Sequence, residues 1–412
     1  MIDGGMVIIG GGKAGARAAV ALRENGWEGA VTLISDEHLA PYDRPPLSKS
    51  IITEEDEQGP PFLTDEPLLA SINVSFVKGN GAQSIDRAAK RVTLADGGVI
   101  SYDKLLIATG ALPRRLRLPG ADQPRLLYLR HFEDSLAIRR HMERGGHAII
   151  IGGGFIGLEI AASARKRGLQ VTVIEGLPRV LSRGVPEEIA AVITARHEAE
   201  GTKILCGAAI ESFAQRDDGV EVLLKDGTSV QGDFAVIGIG AVPVTGLAEA
   251  AGLTLENGIA VDDGLRTSDP DIFAAGDCVS FPLNVYGGRR VRLESWRSAQ
   301  DHGAIAAANM LGMGEKLTAV PWFWSDQHDL SLQIAGLQDE AEQSVRRELG
   351  NGAFITFHLK NDGRLVAASG IGIGNAVARD IRLAEMLIGK SARPALESLA
   401  DPAVSLKALL KG

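Results

Sequence analysis

A chain of 412 residues, 45% of them hydrophobic and 23% charged, can fill two or three cores, which excludes global disorder. The formal net charge of −9 excludes the basic balance expected of a nucleic-acid-binding chain. Cys206 and Cys278 are its two cysteines, too far apart for a CxxC redox or zinc motif, so a reducing cytoplasm is the expected location.

The opening MIDGGMVIIGG lacks the charged region and the apolar length of a secretory signal. The most apolar run, residues 148–162, is interrupted by Gly152–Gly154, Gly157 and Glu159, short of the roughly 18 unbroken apolar residues of a membrane span. Neither a membrane nor a nucleic acid is expected as a partner. Met6–Ile9 reads as a short strand, Gly10-Gly11-Gly12-Lys13-Ala14-Gly15 matches GxGxxG, a helix-like ARAAVALREN follows, and Val31–Ile34 reads as the next strand. Such a βαβ unit lets backbone N–H groups approach a pyrophosphate at a helix N-terminus. Next comes APYDRPPLSKS (40–50), stiffened by two adjacent prolines and ending near one lysine, Lys49.

The same order recurs downstream. His147–Ile151 precedes Gly152-Gly153-Gly154-Phe155-Ile156-Gly157, then LEIAASARKRG, then Val171–Ile174 with Glu175 next. One GxGxxG is weak evidence, and glycine runs can merely permit tight packing of helix on strand; two copies in the same context point to two nucleotide-binding units. The repeat extends further, since LADGGVISYDKLLIATGALP (94–113) aligns without gaps on LKDGTSVQGDFAVIGIGAVP (224–243) at an offset of 130. From loop to repeat block the first copy runs from 10 to 96, or 86 residues, and the second from 152 to 226, or 74, so the first carries 12 more. The proline segment lies within that interval. Pro113–Pro119 and Ala241–Val244 read as the two crossings between units, which sets the second unit inside the first. Then come DPDIFAAGDCVS (269–280), ESWRSAQDHGAIAAANMLG (294–312) and, from about Val320, strand-like alternation in SLQIAGL and GAFITFHL before two short helices.

Together these motifs resemble the FAD-dependent pyridine-nucleotide oxidoreductases of the glutathione-reductase type. Among those, the chain is similar to the NADH-dependent ferredoxin reductases that serve bacterial oxygenases and cytochromes P450. The resemblance rests on the paired glycine loops, Ala108-Thr109-Gly110, AAGD at Ala274–Asp277, YDRPPLSK, ESWRSAQ and PWFWSDQHDLSLQIAGL (321–337). It implies an α/β fold with two Rossmann-like domains and a C-terminal α+β domain: an FAD-binding domain over 1–113 and 245–319, an NAD-binding domain over 114–244, and an interface domain over 320–412.

Residue by residue, the resemblance implies that Gly10, Gly12, Ala14 and Gly15 hold the FAD pyrophosphate. Asp36 or Glu37 takes the adenosine ribose, with Asp36 favoured by superposing the two strands. Arg44, Pro45 and Lys49 meet the flavin region, Ala108, Thr109 and Gly110 line the cofactor, and Asp277 bonds the ribityl chain. Ser295 and Trp296 sit at the pyrimidine end of the flavin. Gly152, Gly154, Ile156, Gly157 and Gly240 fall to NADH. Glu175 would select NADH, because a carboxylate accepts from a ribose 2′-OH and repels a 2′-phosphate, and GLPRV lacks an arginine cluster; a solvated strand-end acid is the bland alternative. Lys49 and Glu159 are expected to pair as the catalytic couple, Glu159 lying on the opening turn of its helix. The bland reading is a surface lysine and an acid that complements a helix N-terminus. Trp324 would line the electron exit, although core packing is the default for Trp322, Phe323 and Trp324.

Disulfide reductases of this group carry a cysteine pair where this chain has residues 40–49, and NADH peroxidases carry one cysteine; here there is none. Electrons must therefore pass directly to an acceptor outside the chain, expected to be an acidic [2Fe-2S] ferredoxin that takes them one at a time and serves a cytochrome P450 or Rieske-type oxygenase. Arg114-Arg115-Leu116-Arg117, Arg139-Arg140-His141 and Arg289-Arg290-Val291-Arg292 are candidate docking clusters. Rubredoxin, monodehydroascorbate or quinone reduction is the alternative among enzymes, and a non-catalytic NADH-sensing flavoprotein the alternative outside them.

Overall fold

The computed structural model of the protein describes residues 5–56 and 58–411. The chain divides into two compact units, one of Met1–Asp43, Pro60–Leu112 and Val242–Ala319, the other of Arg44–Gly59, Pro113–Ala241 and Val320–Gly412.

In the first unit five strands form a parallel sheet in the order Ile272–Ala274, Lys104–Ile107, Met6–Ile9, Val31–Ile34, Val74–Val77. Met6–Ile9 and Val31–Ile34 are buried at every position, as strands covered on both faces must be, which is why Met6–Ile9 reads as an unbroken apolar run and Thr32 alone interrupts the other. Helices Lys13–Glu24 and Trp296–Met310 pack closely because small residues line the crossing. A Cβ added to Gly303 would stand 2.3 Å from the carbonyl oxygen of Ala14.

The second unit repeats that sheet strand for strand. Its order is Leu126–Leu127, Phe234–Ile237, His147–Ile151, Gln170–Glu175, Thr202–Cys206, again parallel. The offset of 130 also carries Val99–Ser101 onto Ser229–Gly232 and Lys104–Ile107 onto Phe234–Ile237. Both hairpins turn on a glycine in the left-handed region, Gly97 at φ +86° and Gly227 at φ +85°, where a Cβ would be strained. Beside them the Asp96 carboxylate accepts the Gly98 N–H at 2.8 Å and Asp226 accepts the Thr228 N–H at 2.9 Å.

An antiparallel sheet completes the second unit, in the order Trp322–Gln327, Leu330–Gly336, Leu365–Ile373, Ala353–Leu359, Gln343–Gly350. Two sequence expectations are corrected here. Ala353–Leu359 is buried throughout and Leu330–Gly336 nearly so, not alternating between core and solvent. The reason is that Leu332, Ile334, Phe354 and Ile371 join the core of Ile160, Ala164, Ile189 and Ile193, while helix Ala378–Gly389 packs on the sheet as well. Among the described residues the closing helices number three, one of 12 residues at Ala378–Gly389 and two short ones at Leu396–Ala400 and Leu406–Leu409. Among the described residues no helix is long and apolar enough to cross a membrane.

Two histidines of this unit are held neutral. Burial pushes His197 and His358 down to about 4. With the folded value depressed, the stability each contributes is present above its ordinary value near 6.5 and is lost as pH falls toward 4, because the unfolded chain binds the proton first. Between pH 7.5 and pH 5 each should remove about 2 kcal/mol. Urea titrations at the two pH values check this; a midpoint for this unit that does not fall at pH 5, or falls equally in His358→Gln, contradicts it.

Candidate functional site

The first glycine loop follows strand Met6–Ile9, and its three glycines do different work. Gly10 lies at φ +116°, and an added Cβ would meet the Ala108 carbonyl oxygen at 2.1 Å; one on Gly15 would meet the Gly10 oxygen at 1.9 Å. Those two serve the fold. Gly12, which precedes helix Lys13–Glu24, is extended at φ −81°, and nothing lies within 4 Å of an added Cβ. No protein contact requires glycine there, so the space in front of the helix N-terminus is free for a ligand's closest approach.

Around this loop the first unit gathers several predicted residues. Ala14 is buried, and Gly110 turns the chain at φ +71° while the neighbouring Thr109 hydroxyl donates to the Val244 carbonyl at 2.7 Å. Asp277 lies in the turn Gly276–Cys278, where the Gly276 N–H donates to His302 Nδ1 at 3.3 Å and a Cβ on Gly276 would meet Ala14 Cβ at 3.2 Å. Burial pushes the His302 imidazole down to about 3, so this acceptor stays neutral. Ser295 caps helix Trp296–Met310, accepting the Ser298 N–H at 3.1 Å. The Trp296 indole N–H donates to Asp43 at 2.7 Å, and the Lys13 ammonium lies 3.9 Å over its ring. Burial lowers the Lys13 ammonium, with Asp43 opposing. Of the two candidate ribose acids, Glu37 accepts from the Tyr42 hydroxyl, whereas Asp36 is exposed.

The second loop has the same construction. Gly152 is at φ +103°, with the Gly238 oxygen 2.3 Å from an added Cβ, and a Cβ on Gly157 would meet the Gly152 oxygen at 2.1 Å. Gly154 again has room, the nearest atom being the Gly238 oxygen at 4.0 Å. Ile156, 49% exposed, and Gly240 at φ +98° stand near the same strand ends. Glu175 is not merely solvated. One carboxylate oxygen accepts the Gly153 N–H at 2.7 Å and the other accepts the Leu177 N–H at 2.7 Å. The loop's own backbone thus fixes the acid that sequence reasoning assigned to a ribose.

From Arg44 onward the proline segment is pinned within the second unit, through two of its carbonyls to helices and through the Arg44 guanidinium to a loop carbonyl. Ser135 donates to the Leu47 carbonyl at 2.6 Å, Ser163 to that of Ser48 at 2.7 Å, and Arg44 to that of Arg130. Arg139 donates to the carbonyls of Ile51, Glu55 and Asp56. Pro45–Ser48 forms a tight turn that delivers Ser48 and Lys49 to one carboxylate. Lys49 Nζ lies 2.8 Å from Glu159 Oε1, Ser48 Oγ donates to Oε2 at 2.6 Å, and Ser325 Oγ donates to Oε1 at 2.7 Å. The helix begins at Phe155, which puts Glu159 in the second turn; the expected place on the opening turn is corrected, and the bland reading as an acid complementing a helix N-terminus goes with it.

On strand Trp322–Gln327 the odd positions face this helix, with Phe323 4.4 Å from the Phe155 ring and Ser325 on Glu159. Trp322 and Trp324 stack on each other at 5.2 Å, half-buried. The basic clusters are less free than their sequence suggests. Arg139 is buried, Arg290 donates to the carbonyls of Val261 and Ser280, Arg292 pairs with Glu294 at 2.5 Å, and Arg115 covers the Tyr128 ring at 4.0 Å. Burial raises the thiols of Cys278 and Cys206, keeping both protonated, and no metal-binding cluster occurs among the described residues. Sequence reasoning missed Lys13, Asp43, Ser48 and Ser325. All four lie inside quoted motifs, Lys13 in the first glycine loop and the other three where polar residues among prolines and aromatics were the available signal.

Comparison with known proteins agrees with this geometry. Residues 5–303 match the family model for pyridine nucleotide-disulphide oxidoreductases, and 322–410 match one described as reductase C-terminal. A curated relative, the ferredoxin–NAD(+) reductase component of the anthranilate 1,2-dioxygenase system of Burkholderia cepacia, is 39% identical over 405 residues, 98% of each chain. The crystal structure of the ferredoxin reductase for the CYP199A2 system of Rhodopseudomonas palustris superposes with a TM-score of 0.93 at 36% identity, over 98% of this chain and 99% of that one. The putidaredoxin reductase–putidaredoxin covalent complex gives a TM-score of 0.93 at 33% identity, over 100% and 99%.

Proposed function

The chain belongs to the pyridine nucleotide-disulphide oxidoreductase family, and from that premise we propose that it is an NADH-dependent ferredoxin reductase. It takes a hydride from NADH onto FAD and supplies electrons to an acidic [2Fe-2S] ferredoxin that serves a cytochrome P450 or Rieske-type oxygenase. The observation that carries this reading is full-length similarity to ferredoxin–NAD(+) reductases in a chain with no cysteine anywhere in residues 40–59. Its place of action is the cytoplasm.

The free space at Gly12 and Gly154, each before a helix N-terminus, fits two dinucleotides. Residues 1–113 and 245–319 are assigned to FAD, 114–244 to NADH and 320–412 to the interface domain. When bound, FAD supplies hydride acceptance and stepwise release of two electrons. The protein supplies position and charge. Gly10–Gly15 hold the FAD pyrophosphate and Asp36, exposed and outside the Tyr42 bond, takes the ribose. Ser295 and Asp277 orient the ligand from the first unit. Lys49 supplies the positive charge that flavin reduction favours, and Glu159 with its two serine donors holds that ammonium in place.

The balance is one NADH and two oxidised ferredoxins giving NAD+, a proton and two reduced ferredoxins. Anaerobic NADH consumption with a panel of [2Fe-2S] ferredoxins, a rubredoxin, a quinone, glutathione disulfide and oxidised thioredoxin tests it. Two ferredoxins should be reduced per NADH, with a rate that falls as salt screens docking over about 10 Å at 0.1 M, and the disulfides should be inert. Vigorous disulfide reduction, or turnover with rubredoxin or quinone and with no ferredoxin, would overturn the assignment.

A further inference from the structure

Glu159 is also the end of a longer line of side chains. Ser325 Oγ, which donates to Glu159, lies 3.2 Å from Gln327 Nε2; Gln327 Oε1 lies 3.0 Å from His197 Nε2; and His197 Nδ1 lies 3.3 Å from His328 Nε2. Ser325, Gln327 and His197 are buried, while His328 sits part-exposed in the turn that joins strands Trp322–Gln327 and Leu330–Gly336.

Chemistry sets the direction of every bond in this line. Paired with the Lys49 ammonium, Glu159 is a carboxylate and only accepts, so the Ser325 proton goes to it. Ser325 then accepts from an N–H of the Gln327 amide, which turns the amide oxygen toward His197. That oxygen has no proton to give, so His197 carries its hydrogen on Nε2. A neutral His197 accepts at Nδ1, and His328 must donate from its own Nε2. Burial, which disfavours the imidazolium, keeps His197 neutral. The Arg196 guanidinium, one residue before His197, reaches Asp329 of the same turn at 2.6 Å and Glu200 at 2.5 Å, tying helix Glu187–Ala199 to the hairpin at the outer end of the line.

The turn itself is built at a cost. His328 has φ +55°, in the left-handed region where glycine or asparagine is the usual occupant. A histidine there brings a ring within hydrogen-bond distance of His197, which neither of those residues offers.

We propose that Ser325, Gln327, His197 and His328 form a one-way hydrogen-bond relay that positions Glu159 and, through it, Lys49, so that the hairpin turn at the protein surface and the catalytic couple set one another's state. The coupling is reciprocal: if Glu159 takes up a proton on parting from Lys49 it can donate to Ser325, and the amide and both imidazoles are then free to reverse. These four are positioning residues. The proposal rests on the assignment of Lys49 and Glu159 to hydride transfer.

The test uses FAD-bound protein labelled with 15N-histidine, read by long-range proton–nitrogen spectra without NADH and by stopped-flow reduction with NADH. The wild type should show His197 and His328 as Nε2-protonated tautomers. Ser325→Ala should abolish the single tautomer of His197, a residue it does not touch, and Ser325→Thr should restore it. Ser325→Ala and Gln327→Glu, which keeps the acceptor for His197 and removes the donor to Ser325, should each slow reduction roughly tenfold. Neither should slow it further when Lys49→Ala is also present. His328→Gly, which relieves the left-handed strain, should raise the thermal midpoint while loosening the His197 tautomer, so a loss seen there is not a folding defect.

A wild-type His197 protonated on Nδ1, or tautomers indifferent to Ser325→Ala, overturns the relay. If Lys49→Ala slows reduction while Ser325→Ala and Gln327→Glu do not, the positioning role fails and the Lys49 assignment stands. If the tautomers respond as stated but Lys49→Ala reduces at the wild-type rate, the Lys49 assignment fails, the relay survives as a structural line, and its link to catalysis is refuted.

Discussion

Gly154→Val should give a folded, yellow protein that has lost more than about a thousandfold in its rate of reduction by NADH, equivalent to about 4 kcal/mol. Gly12→Val should give a folded protein without colour. Both expectations follow from the contrast among the loop glycines. At Gly12 and Gly154 the backbone is extended, with φ near −80°, a conformation valine adopts readily, and an added Cβ meets no protein atom closer than 4.0 Å. The fold has no objection to a side chain there, so any loss is a loss of ligand room. At Gly15 and Gly157 the added carbon would stand 1.9 Å and 2.1 Å from a backbone oxygen, and substitutions there should fail through the fold. Absorbance of the bound flavin, circular dichroism and stopped-flow reduction separate the cases. A Gly154→Val enzyme with the wild-type KM for NADH would remove the second loop from the nicotinamide site.

How far the sequence revealed this arrangement depends on whether a demand is local. The loops were legible because close backbone approach leaves glycine as the sole option at Gly10, Gly15, Gly152 and Gly157, in a fixed spacing. The repeat at offset 130 was legible because each copy needs the same Asp-Gly hairpin turn followed by the same buried strand. What stayed hidden is nonlocal. The outer strand beside Lys104–Ile107 arrives from Ile272–Ala274, far later in the chain, whereas its counterpart Leu126–Leu127 precedes its own sheet. Alternation in the C-terminal strands records only neighbours in sequence, and could not show that two different layers cover the two faces.

Charge runs mislead for the same reason. Arg139 and Arg140 look alike in sequence, yet Arg139 is buried, with its guanidinium donating to the carbonyls of Ile51, Glu55 and Asp56 just after the proline segment, while Arg140 is exposed. Glu159 shows both limits at once. Its pairing with Lys49 was expected from resemblance, but its serine partners come from 111 residues before it and 166 after it, beyond any local pattern.

Glu175 is where structure changes the expected mutant most. The wild type should favour NADH over NADPH by at least about a hundredfold, since a 2′-phosphate would meet a carboxylate that two backbone donors hold rigidly, at 2.7 Å from Gly153 and 2.7 Å from Leu177. The neighbouring arginine offers no relief, because the Arg179 guanidinium is held by the carbonyls of Val180, Leu181 and Val185. Each Glu175 oxygen keeps acceptor capacity for ribose hydroxyls. Removing the side chain therefore does more than erase repulsion: it strips the Gly153 N–H of its acceptor inside the loop proposed to receive the pyrophosphate. Glu175→Ala should lower kcat/KM for NADH about a hundredfold, the combined worth of roughly two hydrogen bonds to a charged group, and leave NADPH poorly used. Glu175→Gln retains one acceptor oxygen without the charge, so it should keep the loop ordered and raise kcat/KM for NADPH while lowering that for NADH less than alanine does. Steady-state kinetics with both cofactors, at fixed ferredoxin, decide the matter. Equal use of the two cofactors by the wild type would dismiss Glu175 as the selector. An alanine variant that gains NADPH activity with undiminished use of NADH would show that the bond to Gly153 contributes nothing.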